Sequence, residues 1–346
     1  MPFQVTPPIK VGIVGTGYAA KKRAEALATD SRAELISVTG NTPEKLQDFS
    51  QTFQVTSINS WQQLINQAEL DLVFICTINR DHGAIAQAAL EADKHVVVEY
   101  PLSLNPKQAE AIIALAKAKR KLLHVEHIEL IGGVHQAIRQ HLSEVGNVAY
   151  ARYATISPQR EGLTSPSKGE ACTPREFSRR WSYHREMFGF PLSAALSRVH
   201  RLTDLFGTVA TVACQTRYWD ASEINYFTAC LCNGQLRFTN GVIAEITYGK
   251  GNVFCHGYRN FEIHGDQGTL IFEGETGKLI KGDEIIPLEV TSRRGLFGKD
   301  TKMVLDGLLE GQPLYLQPEA SLEALKVADA ARQSSETNQI QIMADL

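Results

Sequence analysis

No stretch of this 346-residue sequence stays apolar for the ~20 positions a membrane-spanning helix needs, so no such anchor is expected. Neither sign of charge dominates. Lys and Arg number 35 against 38 Asp and Glu, a formal net charge of −3, which argues against a nucleic-acid footprint. Cysteine is scarce: Cys76, Cys172, Cys214, Cys230, Cys232 and Cys255 are scattered and none forms a C-x-x-C pair. That excludes a disulfide framework or a zinc knuckle and leaves buried thiols as the expectation, with no metal. The opening MPFQVTPPIK lacks the charged and apolar segments of a secretory signal, so a cytoplasmic location is expected.

What is present falls into two rhythms. From residue 9 to residue 127, short β-branched runs (IKVGIVG, ELISVTG, DLVFICT, HVVVEYP, KLLHVEH) alternate with helical stretches (AAKKRAEALAT, PEKLQDFSQTF, RDHGAIAQAALEA, PKQAEAIIALAKAK). Strands that are apolar throughout, rather than at every second position, indicate a parallel sheet covered on both faces. From about residue 147 strand-like segments follow one another with short turns, and Asn240-Gly241 signals a two-residue hairpin. One long helix is expected at 191–206 and another at 317–332, with the last residues fraying. Residues 157–180, rich in Ser, Pro, Gly and charge, read as a long loop and a candidate lid. The fold class is α/β: an N-terminal doubly wound parallel sheet of Rossmann type over 1–127, an α+β domain with a large open, mostly antiparallel sheet over 128–333, and a tail over 334–346.

Gly15-Thr16-Gly17-Tyr18-Ala19-Ala20 joins the first strand to the first helix and fits G-x-G-x-x-A. The first glycine allows the tight turn, the second lets a pyrophosphate approach the backbone, and the helix N-terminus offers free N–H groups. In this strand–turn–helix context the motif marks a dinucleotide site. The second strand ends in Thr39-Gly40-Asn41-Thr42, without the acid that usually holds the ribose of NAD. Asn41, Thr42 and Lys45 suit an extra phosphate, so NADPH (NADP+) is the expected cofactor; the alternative is that Asn41 and Thr42 only cap the helix from Pro43. Thr77, Asn79 and His82 are expected along the cofactor-edge loop, with Glu99 at the tip of the fourth run.

GIVGTGYAA, CTINRDHGAIAQAALEADKHVVVEYPLS and the two-part layout resemble the glucose-fructose oxidoreductase / inositol dehydrogenase superfamily. In most members the strand ending here at Pro101 carries Glu-Lys-Pro; this chain has Glu99-Tyr100-Pro101. The superfamily's D-x-x-x-H-x-x-D signature, aligned on Asp204, puts Ser197 and Arg201 where its aspartate and catalytic histidine fall. The EYP variant, LLHVEHIELIGGVHQAIRQ, YARYATI, FGFPLSAALSR, TDLFGTV, YGKG, HGDQGTLIFEGETG and SRRGLF, in that order, resemble the biliverdin reductases of cyanobacterial type over nearly the whole chain.

That resemblance implies hydride transfer from NADPH to the central methine bridge of biliverdin, with a proton to a pyrrole nitrogen. Such a substrate asks for a broad apolar site with cations for two propionates. Tyr100 is expected to position substrate or nicotinamide, with proton donation and plain packing as alternatives. Arg198, about 60° around the helix from Arg201, has no i±3 or i±4 carboxylate and is expected to promote ring protonation. Arg201 either joins it or pairs with Asp204. Glu126 and Arg185 are candidate substrate contacts; Arg175, Arg179, Arg180 and Arg185 form a basic stretch that either draws in a dianion or lies solvated. Among His124, Glu126, His127 and Glu129, hydrogen bonding inside the fold is the expectation. Pairing of copies through the open sheet is a further implication. Two other functions stay open: a sugar or inositol dehydrogenase, which would need the missing lysine and histidine, and a non-catalytic NADP- or tetrapyrrole-binding regulator.

Overall fold

The first apolar run forms β1 (Ile9–Val14), buried at every position but Lys10, as a strand enclosed on both faces must be. In the computed structural model, which describes residue 3, residues 5–159 and residues 180–345, it is joined by β2 (Ala33–Thr39), β3 (Thr56–Ser57), β4 (Leu72–Ile75), β5 (His95–Glu99) and β6 (Leu123–Glu126). All neighbours are parallel, in the order β3-β2-β1-β4-β5-β6. β1 therefore sits between β2 and β4, the point of reversal at which doubly wound sheets bind ligands.

The intervening helices are α1 (Tyr18–Leu27), α2 (Pro43–Phe53), α3 (Trp61–Ile65), α4 (His82–Glu91) and α5 (Pro106–Lys119). Proline at the first position starts α2 and α5, and the Asn105 carboxamide accepts from the Lys107 and Gln108 N–H groups. α2 and α5 match the expected segments residue for residue. The short α3 and β3 were not foreseen.

A larger omission follows the second rhythm. LFGKDTKMVLDGLLE forms α10 (Leu296–Glu310), whose Val304, Leu305 and Leu308 join the core of Ile9, Val11 and Phe74. Each such side chain contributes about 1.5–3 kcal/mol on burial. Contacts accordingly group Arg294–Leu322 with Met1–Ile128, and Glu129–Arg293 with Glu323–Leu346. The expected single cut near residue 127 is thus replaced by an excursion and return, because α10 buries its apolar face against α1.

The second unit opens with α6 (Gly133–His141) and holds nine strands: β7 (Val148–Pro158), β8 (Val209–Asp220), β9 (Phe227–Phe238), β10 (Ile243–Gly251), β11 (Tyr258–Gly265), β12 (Thr269–Glu273), β13 (Thr276–Lys281), β14 (Glu284–Leu288) and β15 (Gln341–Ile342). Their order is β14-β13-β12-β11-β7-β10-β9-β8-β15, antiparallel except for β7 beside β10. The Asn240-Gly241 hairpin forms, but its loop is longer than two residues: the Phe238 N–H donates to the Val242 carbonyl at 2.8 Å, and Gly241 takes φ +94°.

The expected helix at 191–206 is broken. α7 (Arg185–Phe188) and α8 (Pro191–Ala194) precede α9 (Leu196–Phe206), and Ala195 leaves helical geometry at φ −106°, ψ 35°. α11 (Pro318–Thr337) outruns the expected 317–332, and the residues expected to fray include β15, hydrogen-bonded to β8. Of the anticipated loop at 157–180, Ser157 and Pro158 belong to β7, while residues 160–179, with Arg175 and Arg179, lie outside the described residues.

Candidate functional site

In the first unit the β1–α1, β2–α2 and β4–α4 loops meet at the carboxyl edge of the parallel sheet. Gly15 adopts φ +123°, and a Cβ there would lie 2.2 Å from the Cys76 carbonyl oxygen, so only glycine fits the turn. Gly17 precedes α1 with no side chain capping the helix, and a Cβ on it would meet nothing within 4 Å. The start of α1 thus has room beside Gly17 and no side chain occupying its N-terminal donors, the two conditions a helix N-terminus must meet to receive a phosphate. Thr16 leans on Gly40, Ala19 is half-buried in the first turn, and Tyr18 is 71% exposed with its ring edge against Phe297.

Asn41 and Thr42 are exposed, and the Thr42 side chain makes no capping bond to α2. The capping alternative therefore finds no support at Thr42. With exposed Lys45 nearby in sequence and no carboxylate at the end of β2, this donor set fits a phosphorylated ribose. Thr77 and Asn79 line the β4–α4 loop; His82 is buried, its Nδ1 2.8 Å from the Pro101 carbonyl oxygen and its Nε2 3.2 Å from that of Thr77. Burial pushes its pKa down, so the neutral ring donates to one carbonyl at a time and ties the loop to the turn after Tyr100.

Tyr100 is half-buried and stacks on the His127 ring at 5.2 Å and 11°. His127 is fixed in turn by Ser321 at 2.9 Å, and its N–H donates to the Tyr315 hydroxyl. Glu99 and Glu126 are register partners across β5 and β6. Glu99 accepts from Arg23 at 3.1 and 3.3 Å, and Arg23 also reaches Asp300 and, at 3.0 Å, Thr301. Asp300 is shared with His124 at 2.8 Å. Arg23 is fully buried; burial alone would lower its pKa, but Asp300, Glu99 and Glu126 raise it further.

Glu126 is 1% exposed. Burial, reinforced by Glu99, lifts its pKa well above the carboxylic range, and it accepts the Ile128 N–H at 2.6 Å. Its geometry suits a buried hydrogen-bonding acid, not the open contact expected for substrate. Arg23 and Asp300 were missed by the sequence reading, since nothing in their spacing links residues 277 apart.

In the second unit α9 packs Leu196, Val199, Leu202 and Phe206 inward, as expected from their period. Arg201 does not pair with Asp204, which instead accepts from His135 at 2.7 Å and lies 3.4 Å from Arg139. Arg201 is 2% exposed: its Nη1 donates to the Tyr153 hydroxyl at 3.0 Å, its Nε to His135 at 3.3 Å, and its guanidinium lies over the Tyr153 and Phe261 rings. Glu129 is 4.0 Å from Arg201 and 3.6 Å from Arg259, and it contacts Arg293. Burial would raise Glu129, but Arg259, Arg293, Arg201 and Arg198 hold it below the usual carboxylate range. The Tyr153 phenol is likewise lowered, despite burial, by Arg201, Arg198 and Arg259.

Arg198 is half-buried with its guanidinium 5.0 Å from the Tyr248 ring centroid. Arg185 sits apart from this group, paired with Asp220 and stacked over Tyr218 at 4.3 Å. A further unforeseen residue is Lys250 of the YGKG segment, 7% exposed and enclosed by Phe188 at 3.7 Å, Tyr183 at 4.2 Å and Phe227 at 5.3 Å. Burial pushes its ammonium down to about 7. Among the described residues no three His, Cys, Asp or Glu side chains gather as for a metal, and no helix is long and apolar enough to cross a membrane.

Two family models match: the oxidoreductase family, NAD-binding Rossmann fold, over residues 9–127, and its C-terminal alpha/beta domain over residues 136–343. The chain belongs to the GFO/IDH/MocA oxidoreductase family. Within that family it is similar to a biliverdin reductase from Synechocystis sp. PCC 6803, solved with biliverdin and NADP+. Identity is 53% and the TM-score 0.89, over 95% of this chain and 99% of that one. Biliverdin reductase A of Mus musculus is 26% identical over 59% of this chain and 60% of its own length. Levoglucosan dehydrogenase, at 16% identity and a TM-score of 0.81 over 97% of this chain and 98% of its own, shares the family fold. The chain spans 41% to 60% of the length of the first curated relatives it matches.

Proposed function

We propose that this protein reduces biliverdin to bilirubin with NADPH, a step of heme degradation carried out in the cytoplasm. The observation that carries this reading is the 53% identity, over 95% of the chain, to a protein crystallised with both ligands. Bound NADPH would supply the hydride to the central methine bridge. The chain's own residues would do the rest: Gly15, Thr16, Gly17, Tyr18 and Ala19 receive the pyrophosphate, Asn41 and Thr42 the ribose phosphate, and the Thr77–Asn79 loop the nicotinamide half. Tyr100, held flat by His127, would line the site as an aromatic platform.

Arg198 would favour protonation of a pyrrole nitrogen by placing a fixed positive charge beside the ring system, with Arg201 adding to the same field. A sugar dehydrogenase is disfavoured, because Tyr100 and Arg201 stand where the resemblance expects a lysine and a histidine. Purified protein mixed with NADPH and biliverdin is expected to lose the blue-green absorption and gain the yellow of bilirubin; turnover of inositol or glucose with no bilin colour change would overturn the reading. Pairing of copies through the open sheet is tested by sedimentation: a dimer supports it, and a monomer removes it.

A further inference from the structure

Beside Arg201 the second unit holds a half-open cavity of about 180 Å³, lined by Arg201, Arg259, Arg293, Glu129, Glu275 and the first residues of α6. We propose that this cavity is an oxyanion-binding site for a carboxylate or phosphate group. Three observations converge on it. The lining carries three guanidinium groups against the two carboxylates Glu129 and Glu275, a surplus of positive charge. The Arg201 Nη2 is buried and has no hydrogen-bond partner among the described residues, so the charge of a residue that lines the cavity is only partly answered by the fold. Gly132 precedes the nine-residue α6 without any side-chain cap, and Gly132, Gly133 and Val134 line the same cavity, which brings the positive end of a helix to it.

The chemistry selects the ligand. Planar guanidinium groups pair with two oxygens of one carboxylate or phosphate, and a helix N-terminus adds backbone donors. Small-molecule pockets begin at roughly 300 Å³, so the cavity takes an anionic group and not a whole nucleotide or tetrapyrrole. Gly133 lets the start of α6 pack directly on the Thr291 backbone, since a Cβ there would come 2.1 Å from the Thr291 carbonyl oxygen. Arg293, Arg259 and Arg201 share the one carboxylate of Glu129, in contact, at 3.6 Å and at 4.0 Å, so three five-donor forks face it and retain donors for an incoming anion.

The anion has two possible sources, a free ion or a carboxylate arm of the substrate; only the second rests on the proposed reductase activity. Calorimetric titration of inorganic phosphate into the full chain, in buffer without other oxyanions, is expected to show a Kd of about 1 mM or tighter. Arg259→Gln and Arg293→Gln should each weaken it roughly tenfold, the effect of losing one charge-assisted contact. Arg293→Lys, which keeps charge and loses the fork, should fall between, and circular dichroism checks that each variant is folded. Phosphate that raises the KM for biliverdin, but not for its dimethyl ester, assigns the site to the substrate's carboxylate. Phosphate that binds without competing assigns it to a free anion. Absence of phosphate binding to the parent protein, or binding by both glutamine variants as tight as the parent's, overturns the proposal, and neither readout requires that the protein turn over bilin.

Discussion

Arg23 in the first unit and Arg201 in the second are both large side chains hidden from solvent, yet their surroundings differ in kind. Arg23 is enclosed by carboxylates: Asp300 and Glu99 contact it, Thr301 accepts a further bond, and His124 steadies Asp300. Its charge is answered inside the fold, as a buried ion needs. Arg201 meets a phenol, an imidazole and two aromatic faces, with its one carboxylate at 4.0 Å. Its charge is only partly answered. The closed network welds α10 to α1; the open one keeps a positive field and a vacant donor. A completed ion cluster belongs to architecture, and an incomplete one marks a place where a ligand's charge can enter.

The comparison can be broken at its strongest point first. Asp300→Ala removes the carboxylate shared by Arg23 and His124 and is expected to cost about 3–5 kcal/mol, read as a lower urea midpoint at unchanged m-value. A loss below 1 kcal/mol would mean that Glu99 alone suffices and the two networks are not different in kind.

Arg198→Ala tests the open side. Turnover of biliverdin is expected to fall about 100-fold, the scale of a lost electrostatic contribution to the transition state, with NADPH affinity unchanged within about twofold. Equal loss in cofactor affinity would make it a folding effect instead.

Lys250 offers a third way to bury a cation: among the described residues it meets three rings and the Ser182 carbonyl, to which its ammonium donates. Its folded pKa of about 7 lies below the unfolded value of about 10.4, so the unfolded chain binds the extra proton between them. Stability from this group therefore rises with pH above 7, by up to about 1.4 kcal/mol per unit. Lys250→Met should flatten that slope in denaturant titrations on the alkaline side of neutrality. An unchanged slope would show that the three rings hold the ammonium charged.

Tyr100→Phe is expected to have the smallest effect. Stacking on His127 survives loss of the hydroxyl, so kcat should stay within about threefold; complete loss of turnover would make the phenol the proton donor.

Much of the molecule was written locally. The alternation of apolar runs with helical periods, the turn at Gly15 and the missing acid after Thr39 can each be read within a short window, and they led to the doubly wound sheet and its dinucleotide edge. The helix Leu296–Glu310 was overlooked although its apolar positions are periodic, because it lies beyond a run of strands and returns to the first unit. Among the candidate residues, Tyr100 and Arg201 were found from their departure from a family pattern, and Arg198 from the absence of a carboxylate one turn away on its helix. Glu99 and Glu126 were found by position, but their partners were not.

The sequence by itself determined the alternation of strands and helices up to residue 127, the glycine turn after the first strand, and the presence of Tyr100 and Arg201 where the resemblance expects a lysine and a histidine. Only the tertiary structure decided that Arg23 closes on Asp300 from 277 residues away, that Arg201 turns from Asp204 to Tyr153, and that Lys250 is ringed by aromatics. Backbone preference acts between near neighbours along the chain. The pairing of a buried charge depends on whatever the fold brings within a few ångströms, and no spacing in the sequence records that.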